Sequence, residues 1–456
     1  MTEGQSGGLL IMTLVIVVMF VVMFVALSGV LNRTYHESVV QANNEIAFQL
    51  AEAGLNYGRW RLAHNPDYLV AETKAVADPW AGVLGEYEVS FERAGSSSVV
   101  TVTSEGRTDA LFSKTVTLQA RYGQPSLASY SAIYNDDYWF GEGDVIQGAV
   151  HSNGGIRMDG VSNSIMTSAR ETYKCRTVHG CSNETKPGIW GSGQIQELWE
   201  YPTAAVDYNG LTVDLVNMRQ AAVDGGSYYD DSGAYGYHAV LNDDDSYSVY
   251  TVDTLTPAVE SWAVDDKWKS LSHDIATETL LGTYPIPEDG IIYFEDQLWV
   301  EGNVRSPVTV AAGVFPDKSS TNVDIIINGS ITYDGVNDGS RVLGVISQRD
   351  ILIPWSSAED NLQMDGAYVA QKGAFGRRHY PNSGDTAVHS IKNSLSLYGM
   401  VAMNELSVDV TWVDGTTIIS GYRVVERTYD SNLLYNPPPY FPTSGQYEFL
   451  SWEELD

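Results

Sequence analysis

The sequence is poor in positive charge and in cysteine. Its 456 residues include 26 Lys+Arg against 58 Asp+Glu, a formal net charge of −32, and only two cysteines. Nucleic-acid binding depends on Lys and Arg patches that contact phosphates, so this charge balance excludes that class of partner. Charged residues make up only 18% of the chain, whereas 42 residues are Gly and 28 are Tyr. Low charge with many aromatics argues against disorder and indicates a folded, turn-rich, mostly β chain.

Complete catalytic motifs are also lacking. Gly141-Glu-Gly143 begins a dinucleotide-like pattern, but Ile146 occupies the place of the third glycine. His36-Glu37 starts like a zincin motif and has no second histidine, and the chain contains no Walker loop and no nucleophile elbow. His151-Ser152-Asn153-Gly154-Gly155 is interpreted as a polar bend between two strands. We therefore predict that the protein is not an enzyme.

Acidic residues in expected loops leave two chemical alternatives open. Asp334-Gly-Val-Asn-Asp338-Gly339 resembles a calcium turn only loosely, so we predict no cofactor, with weak calcium binding in a loop as the exception. A surface-tethered carbohydrate-active enzyme that uses paired carboxylates is the alternative function. Solvated turns are the default interpretation of the acidic pairs Asp136-Asp137, Asp230-Asp231, Asp243-Asp244-Asp245 and Asp265-Asp266.

The two cysteines, Cys175 and Cys181, are six residues apart. Zinc in proteins takes about four ligands, and only His179 lies nearby in the sequence. A small disulfide-closed loop is the prediction if this segment lies outside the cytoplasm, and free thiols are the alternative.

A long apolar run lies near the amino terminus. Leu9 to Leu31 is 23 residues without a charge, and about 20 apolar residues suffice for a helix to cross a bilayer. A secretory signal peptide fits poorly, because residues 1–8 contain no Lys or Arg and no small-x-small cleavage site follows the run. We predict a single-pass membrane anchor between Leu9 and Leu31.

The same helix is predicted to continue well beyond the membrane. No proline occurs before Pro66, so a helix from Leu9 to Leu62 would be about 80 Å long at ~1.5 Å per residue. Apolar positions three and four apart mark one helix face, which should pack on the protein's own head domain or on copies of itself. This predicted packing stripe consists of Val39, Ala42, Ile46, Leu50, Ala53, Tyr57 and Trp60.

The residues on either side of the apolar run carry a family resemblance. A polar stretch that ends in glycine, Gly4-Gln5-Ser6-Gly7-Gly8, precedes the run, and Ala47-Phe-Gln-Leu-Ala-Glu-Ala-Gly-Leu55 follows it. Over residues 4–65 the chain resembles the amino-terminal domain of PilX-type pilus-assembly proteins, which belong with the type IV pilins and pseudopilins. The resemblance implies that a prepilin peptidase cuts after Gly8, that the leader stays cytoplasmic and that the rest faces outward. Thr13 stands where major pilins carry a glutamate, which fits a minor or initiating subunit or one that stays in the membrane.

The segment after the helix alternates between polar and apolar residues. Residues 66–80 are predicted to form a loop, and Gly85 to Tyr122 should form a small antiparallel sheet with turns at Gly95–Ser98 and Glu105–Gly106. A long helix laid on such a sheet is the pilin-like arrangement.

Short β-rich runs centred on a glycine recur from Tyr130 onward. The frame apolar-x-apolar-x-Gly-x-apolar occurs five times, around Gly148, Gly302, Gly329, Gly366 and Gly399. Coils of short strands that bend at glycine predict a right-handed parallel β-helix, and an ordinary β-sandwich is the alternative. Between the first and second frames, Leu211 to Val223 has helical spacing, and two β-rich runs flank an acidic tip at Asn242–Asp245, which indicates an inserted α+β subdomain.

These observations predict an α+β, mostly β protein and a domain order along the chain. The predicted segments are a leader (1–8), the membrane-spanning pilin-like helix (9–64), a pilin-like β head (65–125), the first part of the β-helix (126–193), the inserted subdomain (194–290), the main β-helix (291–426) and a Pro- and aromatic-rich capping tail (427–456).

The sequence thus predicts a non-enzymatic, membrane-anchored surface protein that displays a β-helical head for type IV pilus assembly or adhesion. Its expected partners are membrane lipid, other pilin-like subunits with their assembly machinery, and a surface carbohydrate or host-cell ligand. A static cell-surface structural protein that never enters a filament is a further alternative.

Overall fold

The computed structural model describes residues 6–65, 68–80, 82–93, 99–110, 112–123, 126–333, 335, 338–443 and 448–455. The chain forms two compact units. The small unit comprises residues 1–124 and 445–456, and the large unit comprises residues 125–444. Both chain ends therefore belong to the small unit, and the large unit is inserted between them.

The described residues of the small unit form one long helix and five strands. The first five elements are α1 (Ser6–His64), β1 (Glu72–Asp78), β2 (Gly82–Arg93), β3 (Val99–Thr108) and β4 (Thr115–Gly123).

The first part of the large unit consists of short strands. They are β5 (Tyr130–Tyr134), β6 (Tyr138–Phe140), β7 (Val145–Ile146), β8 (Ala149–Ser152), β9 (Ile156–Met158), β10 (Val161–Ser162), β11 (Met166–Ser168), β12 (Thr172–Lys174), β13 (Thr185–Pro187), β14 (Ile189–Trp190) and β15 (Trp199–Glu200).

Two further helices and the remaining strands follow, and the last strand returns to the small unit. They are α2 (Gly210–Asp224), β16 (Ser227–Tyr229), β17 (Tyr237–Leu241), β18 (Ser246–Leu255), β19 (Val259–Ala263), β20 (Lys267–Leu271), β21 (Ile275–Pro285), β22 (Ile291–Phe294), β23 (Leu298–Val304), β24 (Val308–Ala312), β25 (Ile325–Tyr333), β26 (Leu343–Ser347), β27 (Ile351–Leu352), β28 (Asn361–Ala370), β29 (Phe375–Gly376), α3 (Ala387–Ser390), β30 (Ile391–Met403), β31 (Thr411–Asp414), β32 (Thr417–Thr428) and β33 (Glu448–Leu455).

The sheet of the small unit is antiparallel, in the order β1-β2-β3-β4-β33. Side chains on β3 and β4 alternate in burial, with Val100, Val102, Leu118 and Ala120 fully or nearly fully buried toward α1. The predictions of a long amino-terminal apolar helix and a small antiparallel sheet are confirmed.

Two local predictions in this sheet are wrong. Strand β1 lies in the segment predicted as a loop, where it pairs with β2 along the sheet edge. The turn predicted at Glu105–Gly106 falls inside β3, which runs on to Thr108. Gly106 does not form a turn. It allows α1 to approach β3 closely, because Ala47 and Ala51 lie directly over it. The other predicted turn, Gly95–Ser98, lies outside the described residues.

The predicted capping tail is divided between the two units. Its Pro-rich part lies on the large unit, where the hydroxyl of Thr309 donates to the carbonyl of Pro439 and Phe441 is buried. Its last part, β33, pairs with β4 as the outer strand of the small sheet. The aromatic-rich segment after the prolines thus adds an outer strand to the sheet of the small unit.

The large unit is built around parallel strand pairings. One continuous parallel sheet has the order β16-β22-β24-β26-β28-β30-β5-β8-β11-β15. A second set of parallel pairings joins β17, β23 and β25, and continues through β28, β30 and β32. A third, smaller parallel sheet has the order β14-β9-β6.

The order of strands in the long parallel sheet departs from the order in the chain. β5, near the start of the large unit, pairs with β30, near its end. The strands that precede α2 therefore extend the sheet beyond β30, while β16, which follows α2, lies at the opposite edge next to β22. The chain crosses from one edge to the other through the segment that contains α2.

Strands in the middle of the long sheet are buried on both faces. Every residue of β22, β24 and β26 is buried, as expected for parallel strands covered on two sides. Alternate side chains point to two separate cores. Ile292, Val310 and Val345 face the larger core, whereas Ile291, Ala311 and Ile346 face the core beneath α2.

The segment predicted as an inserted subdomain contributes to the same sheets. Helix α2 buries Leu211, Leu215, Met218 and Ala222, the four positions with helical spacing. Strands β17 and β18 pair as an antiparallel hairpin around the acidic tip, and β17 also pairs in parallel with β23. Within residues 210–285, α2 thus covers the long parallel sheet, and β17 extends the second set of parallel pairings.

Candidate functional site

The apolar run forms the first half of α1, and its described side chains, from Leu10 to Leu31, are all exposed. The helix has a mean hydropathy of 3.2 over its most apolar window, none of which is buried, so by length and composition it can cross a membrane. Of the predicted anchor residues, Leu31 is exposed and Leu9 lies within the helix at a position whose side chain is not described. Gly8 lies near the start of the helix, and leader residues 1–5 lie outside the described residues.

The second half of the same helix packs on the small sheet through small residues. Ala47, Ala51, Gly54 and Gly58 face β2 and β3. A Cβ at Gly54 would fall 2.0 Å from Ser104 Oγ, and one at Gly58 would fall 2.7 Å from Val102 Cγ1. The helix therefore approaches the sheet more closely than side chains larger than glycine would allow.

The predicted packing stripe only partly coincides with this buried face. Leu50 is buried, Val39, Ile46, Ala53 and Tyr57 are half-buried, and Ala42 and Trp60 are exposed. The buried face is centred on the small residues, which a search for large apolar side chains overlooks. Their spacing of four, three and four positions, from Ala47 to Gly58, was the signal available in the sequence.

The end of α1 is tied to β1 by a charged cluster. Glu72 forms an ion pair with Arg61 and accepts a hydrogen bond of 2.7 Å from the Tyr57 hydroxyl, and Lys74 lies 3.6 Å from the centre of the Tyr57 ring. Hydrogen bonds from Arg61 and then from Tyr57 hold the pKa of Glu72 below its ordinary value. The helix end is fixed on the sheet by these contacts as well as by packing.

The predicted disulfide between Cys175 and Cys181 is present. The two Cα atoms are 5.7 Å apart, and the sulfurs lie in a small buried cluster with Tyr173 and Trp190. His179 lies inside this loop, and burial lowers its pKa below the ordinary value. Among the described residues, no group of three or more His, Cys, Asp or Glu side chains is arranged to hold a metal ion.

His151 and Ser152, which are adjacent in the sequence, do not act on one another. The ring of His151 contacts Thr167 Oγ1 at 2.8 Å and Asn153 Oδ1 at 2.9 Å, and Ser152 donates to the carbonyl of Asp136. His151 and Ser152 are the last residues of β8, and the bend follows at residues 153–155, before β9. This is the polar bend expected from the sequence.

Some of the acidic residues in the predicted loops form ion pairs with basic side chains. Asp266 pairs with Arg378 and Lys269, and Asp136 pairs with Arg176 at 2.9 Å. Of the loosely calcium-like segment, Asp334, Val336 and Asn337 lie outside the described residues. Asp338 accepts hydrogen bonds from Ser340, as in an ordinary turn.

Compared with protein-family models, characterised proteins and solved structures, the chain has no match.

Proposed function

We propose that this protein is a PilX-type, pilin-like membrane protein that displays a β-rich body at the cell surface for pilus assembly or adhesion, without a catalytic role. The supporting observation is that one continuous helix has two different environments. Its first half is apolar with its described side chains exposed, whereas its second half is packed on an antiparallel sheet. A helix that belongs in lipid at one end and in a folded unit at the other can anchor that unit to a membrane.

The proposal includes a right-handed parallel β-helix as the architecture of the large unit. Three sets of parallel pairings support it, as does the stacking of glycines where strands bend. Gly366 and Gly399 are paired in register, both with positive φ, and a Cβ at Gly399 would fall 1.8 Å from the carbonyl oxygen of Gly366. Only glycine permits this turn of the backbone in successive layers.

The proposal assigns the unburied face of α1 to contacts with neighbouring pilin-like subunits. Leu50 cannot take part, because it is buried against its own sheet, whereas Ala42 and Trp60 are exposed. A polar substitution at Leu50 would disrupt the small unit itself. Trp60 is therefore the better position at which to test assembly.

Membrane anchoring is tested by charges in the apolar run. We expect the double variant Val17→Asp/Val21→Asp to move the protein out of the alkali-resistant membrane fraction, because each Asp near a helix centre costs about 3 kcal/mol. Val70→Asp/Val388→Asp is the matched control, since both valines are exposed and lie outside α1. Equal retention of both variants in the membrane would refute the anchor.

Assembly is tested separately by immunogold labelling of sheared surface fibres. Trp60→Asp should remove the label from fibres while leaving the protein in the membrane. Trp80→Asp is the control, because Trp80 is 94% exposed and lies outside α1. Normal labelling of the Trp60→Asp fibres would contradict a role of this helix face in assembly.

A further inference from the structure

Two adjoining cavities lie within the large unit. The first has a volume of about 520 Å³ and the second about 800 Å³. The two share Tyr138, Phe375, Met403, Val410 and Arg427 in their linings. Each volume is in the range of pockets that hold small organic ligands.

The first cavity arises from the way two strands share one edge of β30. The first half of β30, up to Tyr398, pairs with β32, and its second half, from Val401, pairs with β5. On its other edge β32 pairs with β31 only over Thr417–Gly421. The cavity lies beside the last residues of β32, Val425 to Thr428, and residues 143–147 also line it.

Arg427 enters this space because of its position on β32. Val425, two residues earlier, packs against the larger core, so Arg427 is on the same face of the strand. Its guanidinium remains accessible within the cavities and forms no ion pair with any carboxylate of the described residues. Its neighbours are the Tyr138 hydroxyl, with which it forms a hydrogen bond, the Tyr134 hydroxyl and, at longer range, Asp409. Although the chain has 58 acidic residues, none of those that the structure describes forms an ion pair with this guanidinium, so a ligand carboxylate can do so.

Three aromatic rings line the first cavity near Arg427, and one of them, Tyr138, also lines the second. Tyr134 and Tyr138 are stacked with ring centres 3.9 Å apart, and Phe140 lies 4.7 Å from Tyr138. Tyr134 and Phe140 are buried and hold the half-buried Tyr138 ring in place, so that this ring offers apolar surface without a loss of side-chain freedom on binding. Such surface suits the C–H faces of sugar rings.

The second cavity adds hydrogen-bonding groups from three loops. The disulfide loop contributes Arg176, the tip of the β19–β20 hairpin contributes Asp265, and the segment after β30 contributes Asn404, Glu405 and Asp409. Arg176 is already paired with Asp136. Amide and carboxylate oxygens accept hydrogen bonds from hydroxyl groups, so this wall suits a polyhydroxylated ligand.

We infer that the two cavities form one binding site for an oligosaccharide with an isolated carboxylate, which Arg427 would hold through paired hydrogen bonds. Guanidinium matches a planar carboxylate in this way. The carboxylates of the second wall repel polyanions such as sulfated polysaccharides, so neutral sugars should surround the single acidic group. This inference supplies a ligand class for the proposed surface protein, but the site does not depend on membrane anchoring, so binding and anchoring can fail independently.

The test is binding of two matched pairs of probes to the full-length protein in detergent micelles. The acidic probes are 3′-sialyllactose and glucuronic-acid-substituted xylotetraose, and their neutral counterparts are lactose and unsubstituted xylotetraose. Measured by calorimetry, at least one acidic probe should bind about 10-fold or more tightly than its neutral counterpart, which is the usual scale of a hydrogen-bonded ion pair. Equal binding within both pairs, or no binding of either acidic probe, would overturn the inference.

Two variants assign the effect to Arg427. Arg427→Gln should abolish the preference for the acidic probe, whereas Arg423→Gln, which removes an exposed charge from the same strand, should keep it. A second measurement needs no variant. When the acidic probe is bound, Arg427 but not Arg423 should be protected from modification by phenylglyoxal, as detected by mass spectrometry. Preserved preference in Arg427→Gln, or no protection of Arg427, would contradict the assignment.

Discussion

Gly106 on β3 lies directly beneath Ala47 of the long helix, so that a Cβ at Gly106 would fall 2.2 Å from the Ala47 carbonyl oxygen and 2.4 Å from the Ala51 nitrogen. Both atoms belong to the helix backbone and cannot move aside independently of the helix. The contact fixes the distance between α1 and the sheet. In the proposed function, it is also where the anchoring helix joins the folded small unit.

Gly106→Ala should therefore destabilise the small unit. Overpacking against backbone atoms forces the helix away from the sheet, and we expect a loss of about 2 kcal/mol in the free energy of unfolding. Hydrogen–deuterium exchange of peptides from β3 and β4 in the detergent-solubilised protein measures this loss. Gly29→Ala is the control, because a Cβ there meets nothing within 4 Å. Unchanged exchange in Gly106→Ala would show that the helix is not seated as described.

The elements that sequence could predict are those governed by local pattern. The apolar run, the alternation of β2, β3 and β4, and the helical spacing of Leu211 and Ala222 each reflect which side chains become buried. The disulfide between cysteines six residues apart is a local feature of the same kind.

Other features depend on contacts between distant parts of the chain. No periodicity near β5 indicates that it pairs with β30, and none near β33 indicates that it pairs with β4. The predicted helix-packing stripe leaves out Gly54 and Gly58, which lie on the buried face because β2 and β3 approach the helix closely there. Arg427 also gave no signal in the sequence, because its cavity exists only where β32 ends beside β5.

The stability of the large unit should depend on pH through His238. Its ring contacts Glu278 Oε2 at 2.7 Å and Glu301 Oε1 at 3.3 Å. Burial lowers the pKa of His238, but hydrogen bonds to Glu301 and Glu278 outweigh burial and leave it above the ordinary value of 6.5. His238 in turn holds the pKa of Glu301 below the ordinary value of 4.5.

A histidine whose pKa is raised by folding stabilises the fold fully at pH values below its pKa in the unfolded chain. This contribution is lost as the pH rises through its pKa in the folded protein. A lowered glutamate pKa acts in the opposite sense, and its contribution is lost as the pH falls through the folded value. The contribution of this cluster should therefore be greatest between pH 4.5 and 6.5. Urea unfolding of His238→Gln should show a smaller decrease in stability between pH 6 and pH 9 than the wild type. An identical decrease in both proteins would mean that His238 is not charged in the fold.

Loss of the disulfide should loosen one wall of the second cavity. The double variant Cys175→Ser/Cys181→Ser removes a constraint on the unfolded chain worth about 2 kcal/mol. We expect faster proteolysis within residues 175–181 and weaker saccharide binding, because Arg176 lies in this loop and also lines the cavity. Wild-type protein without reductant is the reference, and an unchanged cleavage rate would contradict the expected local constraint.

Removal of the last strand should affect only the small unit. Truncation after residue 444 takes away the hydrogen bonds of β33 to β4 together with the aromatic contact between Phe449 and Tyr122. Hydrogen–deuterium exchange should accelerate in β4 and remain unchanged in β24 and β26, which are buried in the large unit. Faster exchange in both units would show that β33 supports more than its own sheet.

The central claim is that a single amino-terminal helix anchors the chain in a membrane with the folded body outside. Protease treatment of intact protoplasts, followed by an alkaline wash and mass spectrometry of the membrane pellet, tests this claim directly. If this helix is the anchor, peptides after residue 64 are released from the outside without lysis, while a fragment containing the apolar run remains in the pellet. Full-length chain recovered in the soluble cytosol, or a body that is digested only after lysis, would contradict it.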